Sequence, residues 1–156
     1  MNRPKLLNLG CGAFVHEEWT NVDFVSSDRM VIAHNLLNGI PFPDNEFDAV
    51  YHSHVLEHFP RSQALPFLNE CFRVLKPGGI LRLVVPDLES IAREYLTWKE
   101  RAQAGDRAAA ANYDWIMLEL YDQAVRTRSG GDMADHLRAL QPSNEQYVVD
   151  RIGIDI

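Results

Sequence analysis

The chain has 156 residues, of which 46% are hydrophobic, 24% charged and 10% aromatic; that is the size of one domain, with enough apolar material for a sizeable core. Such a balance excludes disordered, collagen-like and coiled-coil chains. Lys and Arg number 15 against 22 Asp and Glu, a formal charge of −7, which argues against a large phosphate-neutralising footprint on nucleic acid.

Short apolar or β-branched runs come first, at residues 5–9, 21–24, 30–33, 48–53 and 80–85, separated by turn residues. Between the last two runs, residues 61–75 carry Leu65, Leu68, Phe72 and Leu75 at helical spacing, which predicts an amphipathic helix with that apolar stripe. The KPGG stretch at 76–79 stops the helix and turns the chain into the next strand. Strands alternating with crossovers predict an α/β, Rossmann-like, mostly parallel sheet of about five strands.

From residue 88 the pattern becomes helical, over 88–103, 107–128 and, after Gly130-Gly131, 133–140. A Pro142-Ser143-Asn144 turn then precedes a tail, 147–156, that reads as a strand. The expected organisation is a Rossmann-like core over 1–87 and a helical extension of the same domain over 88–156. Cys11 and Cys71 are too few and too far apart for a disulfide framework or a zinc knuckle, and suggest a reducing, cytoplasmic setting. No run approaches the ~18 consecutive apolar residues of a membrane span, and the first residues read as neither a signal nor a transit peptide.

The densest chemical signal is Leu6-Leu7-Asn8-Leu9-Gly10-Cys11-Gly12, a buried strand running into Gly-x-Gly. Glycine here lets backbone pass close to a ligand, at the strand end where open α/β sheets bind cofactors. Val15 stands where a dinucleotide loop would carry its third glycine. The next strand ends in Asn21-Val22-Asp23, a carboxylate suited to both hydroxyls of a ribose. Gly-x-Gly alone is equally a tight turn; with Asp23 it points to a nucleoside-containing cofactor. Eight residues separate Gly12 from Asn21, too few for a normal crossover helix.

LLNLGCG and NVD, together with IPFPDNEFDAVYHSHVLEHF and RVLKPGGILRLVVPD, resemble the class I S-adenosylmethionine-dependent methyltransferases across residues 5–87. The resemblance implies S-adenosylmethionine as cofactor, with Gly10, Cys11 and Gly12 around its methionine and ribose parts and Asp23 on the ribose hydroxyls. Asn35-Leu36 match the place where the family often has an acid reading the adenine amino group; an amide at Asn35 can still pair with adenine. Asn8 stands where many members have an acid, and offers the cofactor's ammonium a hydrogen-bonding group without charge. The resemblance also turns the end of the fourth strand, His52, Ser53 and His54, toward the methyl group.

His52, His54 and His58 fall within the run Tyr51-His52-Ser53-His54-Val55-Leu56-Glu57-His58. His54-x-x-Glu57-His58 admits an inverted zinc-protease reading and a divalent-metal reading, although His54 replaces an oxygen ligand that Mg²⁺ would prefer. It also admits a structural reading, in which Glu57 and His58 start a short helix; no metal ligand is assigned. Methyl transfer is an in-line displacement that mainly requires holding the acceptor ~3 Å from the methyl carbon. A hydroxyl acceptor must also lose a proton, which a neutral histidine suits near pH 7. His54 is the candidate base, against the alternative that it only packs or touches cofactor.

In the second half, Trp115, Tyr121 and Arg126 are candidate acceptor contacts or, for the aromatic stripe, core. Asp122 and Arg126 are spaced for a helical ion pair, and Arg126, Arg128 and Gly130-Gly131 for an anionic acceptor. The family resemblance implies seven strands, whereas this sequence supplies five and the tail. ILRLVV would then be an edge strand, which proteins usually cover, by a longer chain, by the helices or by a second copy. The reading is a methyltransferase acting on a small-molecule or glycan hydroxyl. Its alternative is a non-catalytic module that binds S-adenosylmethionine or a partner; a nicotinamide oxidoreductase fits less well, given the short spacing after Gly12.

Overall fold

A computed structural model of the chain describes residues 3–26, 28–125, 131–139 and 143–152. Five strands, β1 (Leu6–Leu9), β2 (Thr20–Asp23), β3 (Val31–Ala33), β4 (Phe47–Ser53) and β5 (Leu75–Val84), form one sheet in the order β3-β2-β1-β4-β5. Every pairing is parallel. This is the α/β, Rossmann-like arrangement expected, with loops in place of helices in the first two crossovers.

The register sets two different faces. Leu9 lies opposite Val22 and His52, and Leu7 opposite Val50. Strand side chains alternate between faces, so these residues share one side. There they meet Phe67, Cys71 and Val74 of α1 (Arg61–Val74) in one buried core. On the other side Asn8 lies opposite Asn21 and Tyr51, and Tyr51 opposite Arg82. One face is apolar and the other carries a polar row.

Three details differ from the sequence expectation. First, α1 lays down Phe67, Cys71 and Val74, while Leu65 and Phe72 are 65% and 63% exposed. Both sets recur with helical spacing, and the stripe with Phe67 beneath the sheet is the one that fills the core. Second, KPGG lies inside β5 rather than before it. Leu75 already pairs with Phe47, an irregularity follows, and regular pairing resumes at Ile80 opposite Ala49. Gly78 takes φ +81° in that irregular stretch, a conformation glycine adopts without steric cost. Third, the tail is helical over Glu145–Ile152, not a strand. Tyr147, Val148 and Arg151 fall on one side of that helix, with Val148 buried; the apolar residues that suggested alternation equally fit a helical turn. Residues 153–156 lie outside the described residues.

The chain divides into two compact units at Pro86/Asp87. The second contains α2 (Leu88–Gln103), α3 (Arg107–Val125), α4 (Gly131–Arg138) and α5 (Glu145–Ile152). Asp87 caps α2 by accepting from the Ser90 amide, and Asp106 accepts from the amides of Ala108 and Ala109 at the start of α3. Partly buried polar bonds join the helices: Arg151 pairs with Glu119 and donates to the Ser90 hydroxyl, and Tyr147 and Trp98 both donate to Glu94. Among the described residues, no helix is long and apolar enough to cross a membrane.

Candidate active site

The site is built where the central strand β1 ends. Gly10 and Gly12 both take left-handed backbone, at φ +64° and +54°, which explains glycine at each. Their surroundings differ. A β-carbon on Gly10 would overlap the Val55 side chain, whereas one on Gly12 would meet nothing within 4 Å. Gly10 is therefore pressed against the turn that follows β4, and Gly12 borders open space. The Gly12 amide donates to Asp23 Oδ2 at 2.8 Å, tying the loop to the tip of β2. The amides of Gly10 and Cys11 donate to the Val22 carbonyl. Gly10, Cys11, Gly12 and Asp23 are thus brought together, with space above Gly12 for a ligand to approach the backbone. The glycine cradle and the adjacent carboxylate fit a nucleoside-containing cofactor.

Cys11 is buried, and burial followed by the nearby Asp23 charge pushes its thiol above the ordinary range. Burial pushes the Cys71 thiol up to about 12. Both sulfurs stay protonated near neutral pH and pack as small apolar groups.

Asn8 and Asn21 are buried side by side beneath the first crossover loop. Asn8 Nδ2 donates to the Phe14 carbonyl at 3.0 Å and to Asn21 Oδ1 at 3.2 Å. Asn21 Nδ2 donates to the carbonyls of His16 and Trp19, and its Oδ1 accepts from the His16 amide. A crossover without a helix leaves backbone polar groups that must find partners; the two amides supply them. Asn35, after β3, accepts from the Leu37 amide and caps the 3₁₀-helix Leu36–Asn38. Leu36 packs against the apolar core.

At the end of β4, successive residues go to different environments. His52 is wholly buried on the α1 face, 5.2 Å from the Phe67 ring, and neither ring nitrogen has a hydrogen-bond partner. Burial holds its imidazole below the ordinary histidine range, against a smaller upward pull from Glu57. Ser53 pairs with Val84 in the last step of the sheet. His54 then takes φ +54°, left-handed backbone in a non-glycine residue, a conformation costing of order 1–3 kcal/mol that clusters at functional sites. Its amide donates to the Val84 carbonyl at 3.0 Å, and its Nδ1 stands 3.3 Å from Glu57 Oε1. Burial alone would raise the Glu57 carboxyl; the hydrogen bond from His54, the Glu57 amide and the His54 and His58 rings outweigh it and hold the carboxyl below its ordinary range.

The geometry gathers the glycine loop, Asp23 and the β4 turn at one end of the sheet, joined by the Gly10–Val55 contact. His52 and Asn8 point into protein and Leu36 packs on the core, whereas Asn35 makes an exposed local cap. Among the described residues, no group of three or more His, Cys, Asp or Glu is placed to hold a metal ion. In the second unit Trp115 is wholly buried and Tyr121 is exposed. Asp122 accepts from the Asp132 amide at the start of α4. Arg126, Arg128 and Gly130 lie outside the described residues. Sequence reasoning missed Val55 and Asn21 as site-building residues. The available signal for Asn21 was an asparagine, a poor strand former, in the middle of a short strand; for Val55 there was none.

Residues 7–83 match the family model described as methyltransferase domain. A Mycolicibacterium smegmatis protein described as a probable S-adenosylmethionine-dependent methyltransferase is 40% identical over 60 residues, covering 38% of this chain and 22% of that protein. The ubiquinone/menaquinone biosynthesis C-methyltransferase of Salmonella arizonae is 32% identical over 98 residues, covering 61% of this chain and 32% of that protein. Among solved structures, the 4+2 cyclase SpnF is similar with a TM-score of 0.42 at 25% identity, covering 51% of this chain and 38% of that one. The matched segments span 17% to 32% of the length of these and the other first curated relatives.

Proposed function

We propose that this chain, whose residues 7–83 match the methyltransferase-domain family model, is a class I S-adenosylmethionine-dependent methyltransferase that binds S-adenosylmethionine and transfers its methyl group to a small-molecule or glycan hydroxyl. Members of that family use S-adenosylmethionine. The observation that carries the reading is the Gly10–Gly12 loop, hydrogen-bonded to Asp23 and open above Gly12. Residues 1–87 would hold the cofactor, and 88–156 would be a helical extension of the same domain.

When bound, the cofactor supplies an electrophilic methyl group on a sulfonium. The chain then has two tasks. The glycine loop would wrap the methionine and ribose parts of the cofactor, and Asp23, already bonded to the Gly12 amide, would accept from the ribose hydroxyls. His54 would take the proton from the acceptor hydroxyl. His52 and Ser53, Asn8, and Asn35 with Leu36 act in this reading as the walls around the cofactor, mostly by holding the backbone that touches it.

A non-catalytic cofactor-binding or partner-binding module is the second reading. It is favoured by Asn35, whose side-chain oxygen is engaged with the Leu37 amide rather than presented to an adenine.

Calorimetric titration with S-adenosylmethionine, S-adenosylhomocysteine and NAD separates the readings. The first two should bind and NAD should not; Asp23→Ala should weaken them at least about tenfold, the loss of one or more charge-assisted hydrogen bonds. Undiminished binding by Asp23→Ala would overturn the cofactor assignment. Homocysteine release across a panel of sugar nucleotides and phenols then distinguishes an enzyme from a module.

A further inference from the structure

Three features converge on His54 and do not depend on one another. Its backbone is locked in left-handed geometry, with the amide bonded to the β5 carbonyl of Val84. The next residue, Val55, is wedged against Gly10, so the turn cannot shift without displacing the glycine loop. Its ring faces Glu57 through Nδ1, and Glu57 belongs to the 3₁₀-helix Leu56–His58 that begins immediately after. The Glu57 side chain is only 20% exposed, against 52% for His54. A half-buried carboxylate therefore backs a more open imidazole.

We propose that Glu57 is the positioning residue for His54, accepting a hydrogen bond from Nδ1–H and so fixing the tautomer in which Nε2 is the proton-accepting nitrogen. The inference rests on the reading of His54 as base, and adds a residue whose role there is separate from any contact with cofactor. A neutral imidazole carries one ring proton, and the hydrogen bond made by one nitrogen decides the basicity of the other. With Glu57 ionised, Nδ1 can be only the donor in this pair. The same carboxylate stabilises the imidazolium formed when Nε2 takes a proton, because an opposite charge favours the charged form. The pairing lies at i,i+3 across the strand-to-helix turn, which explains why the strained His54 backbone is held: it aims the ring back at Glu57. Other titratable groups near the pair are His58 on the same short helix and His52 on β4; β5 contributes the Val84 carbonyl bonded to the His54 amide.

The test needs no acceptor. Long-range ¹H–¹⁵N NMR on protein with ¹⁵N-labelled histidine reports which ring nitrogen carries the proton, with the His54 signals assigned through His54→Gln. The wild type should show the Nδ1–H tautomer above its titration, opposite to the Nε2–H form that free imidazole side chains favour. Glu57→Ala should restore Nε2–H and lower the His54 titration by about one pH unit. Glu57→Gln, which keeps an acceptor but no charge, should retain the tautomer while lowering the titration; it also serves if the alanine variant is poorly folded. A wild-type Nε2–H tautomer, or a His54 titration that neither variant moves, would overturn the assignment of Glu57. The parent reading fails separately: once an acceptor is known, unchanged turnover in His54→Ala overturns the base role without touching the tautomer measured in the wild type. Where both hold, Glu57→Gln lowers kcat about tenfold or more, leaves S-adenosylhomocysteine affinity unchanged, and moves the acid limb of the rate profile to lower pH.

Discussion

Val55 occupies the space that a side chain on Gly10 would need, so the first glycine of the loop and the turn after β4 are packed as one unit. The second glycine has the same left-handed backbone without the neighbour. Alanine at Gly12 should therefore cost only the conformational penalty, about 1 kcal/mol. Alanine at Gly10 adds an overlap with a buried-side valine and should cost about 2–4 kcal/mol. Chemical denaturation of the two variants measures the difference. Gly10→Ala combined with Val55→Ala should recover part of the loss, as expected for residues in contact. Equal destabilisation by the two single variants would show that the contact has no energetic weight.

Asn8 is the position at which many family members have an acid, and its surroundings here disfavour one. Its amide nitrogen donates to the Phe14 carbonyl and to Asn21 Oδ1. Asn8→Asp would replace a donor by a carboxylate oxygen facing two acceptors in a buried site. That should destabilise the protein by about 3 kcal/mol or more, the scale of an uncompensated buried charge. The introduced carboxyl would have a folded-state pKa above its unfolded value near 3.9. Its penalty is therefore absent below that value and grows as pH rises through it. Unfolding midpoints of Asn8→Asp and wild type should converge toward pH 4 and separate toward pH 7. A constant difference would mean that the Asp finds a donor.

The two asparagines also show where sequence reading stops. The five strands, the loop, Asp23 and the short crossovers were legible because each has a local signature: apolar runs, Gly-x-Gly, a carboxylate at a strand tip, and a count of residues. The function of Asn8 was not, because the amide is recruited by the Phe14 carbonyl of the first crossover loop and by Asn21 of the neighbouring strand rather than by its own strand. The α1 face was ambiguous for a related reason. Leu65 and Phe72 on one stripe and Phe67, Cys71 and Val74 on another have nearly the same periodicity, and only the sheet decides between them. His54 and Glu57 were visible as a cluster, but the spacing is compatible with a metal site, a cap or a pair. The left-handed turn at His54, which no residue type announces, selects the pair.

Burial of His52 with both ring nitrogens unbonded has a consequence for stability against acid. Its folded-state pKa lies below the ordinary histidine value of about 6.5. The unfolded chain therefore binds a proton that the native state refuses, and stability is fully present above pH ~6.5 and falls as pH drops below it. The slope from this group alone is at most about 1.4 kcal/mol per pH unit. His52→Leu should flatten the stability profile between about pH 6.5 and 5 without lowering stability at pH 7.5, since an unsatisfied polar ring is exchanged for an apolar group. If the variant keeps the full acid slope, the titrating group lies elsewhere.

Arg73 and Glu70 clamp the loop before β4 onto α1. The guanidinium donates to the carbonyls of Ile40 and Phe42 and to Glu70 and Asp44, while Glu70 accepts from the Ile40 amide. The Arg73 guanidinium, then the Ile40 amide, lower the Glu70 carboxyl to about 2. A depressed carboxylate contributes stability above its unfolded value near 4.3 that is lost as pH falls through the folded value. Arg73→Leu leaves two carbonyls and a carboxylate without their donor and should cost about 2–3 kcal/mol at pH 7. The loss should shrink as pH falls from about 4 toward 2, because protonated Glu70 no longer needs the partner. Thermal unfolding of wild type and variant across that range tests the sign.

The sheet has two edges, and they differ in what they offer a second chain. β3 has three residues, Val31–Ala33, whereas β5 runs for ten, Leu75–Val84. A long edge presents a row of unpaired backbone groups that templates association, and short edges avoid it. β5 also carries exposed apolar side chains: Ile80 is 66% and Leu83 41% exposed. The KPGG irregularity disrupts only its first half, which leaves the regular stretch from Ile80 onward as the adhesive part. The expected behaviour of this chain is self-association through β5, visible by size exclusion with light scattering as mass that rises with concentration. Ile80→Lys places a charge on that edge and should shift the equilibrium toward monomer while leaving cofactor affinity unchanged, since Ile80 lies level with Leu6 at the start of β1, away from the glycine loop. A single monomeric species at millimolar concentration in the wild type would show that the edge is already covered.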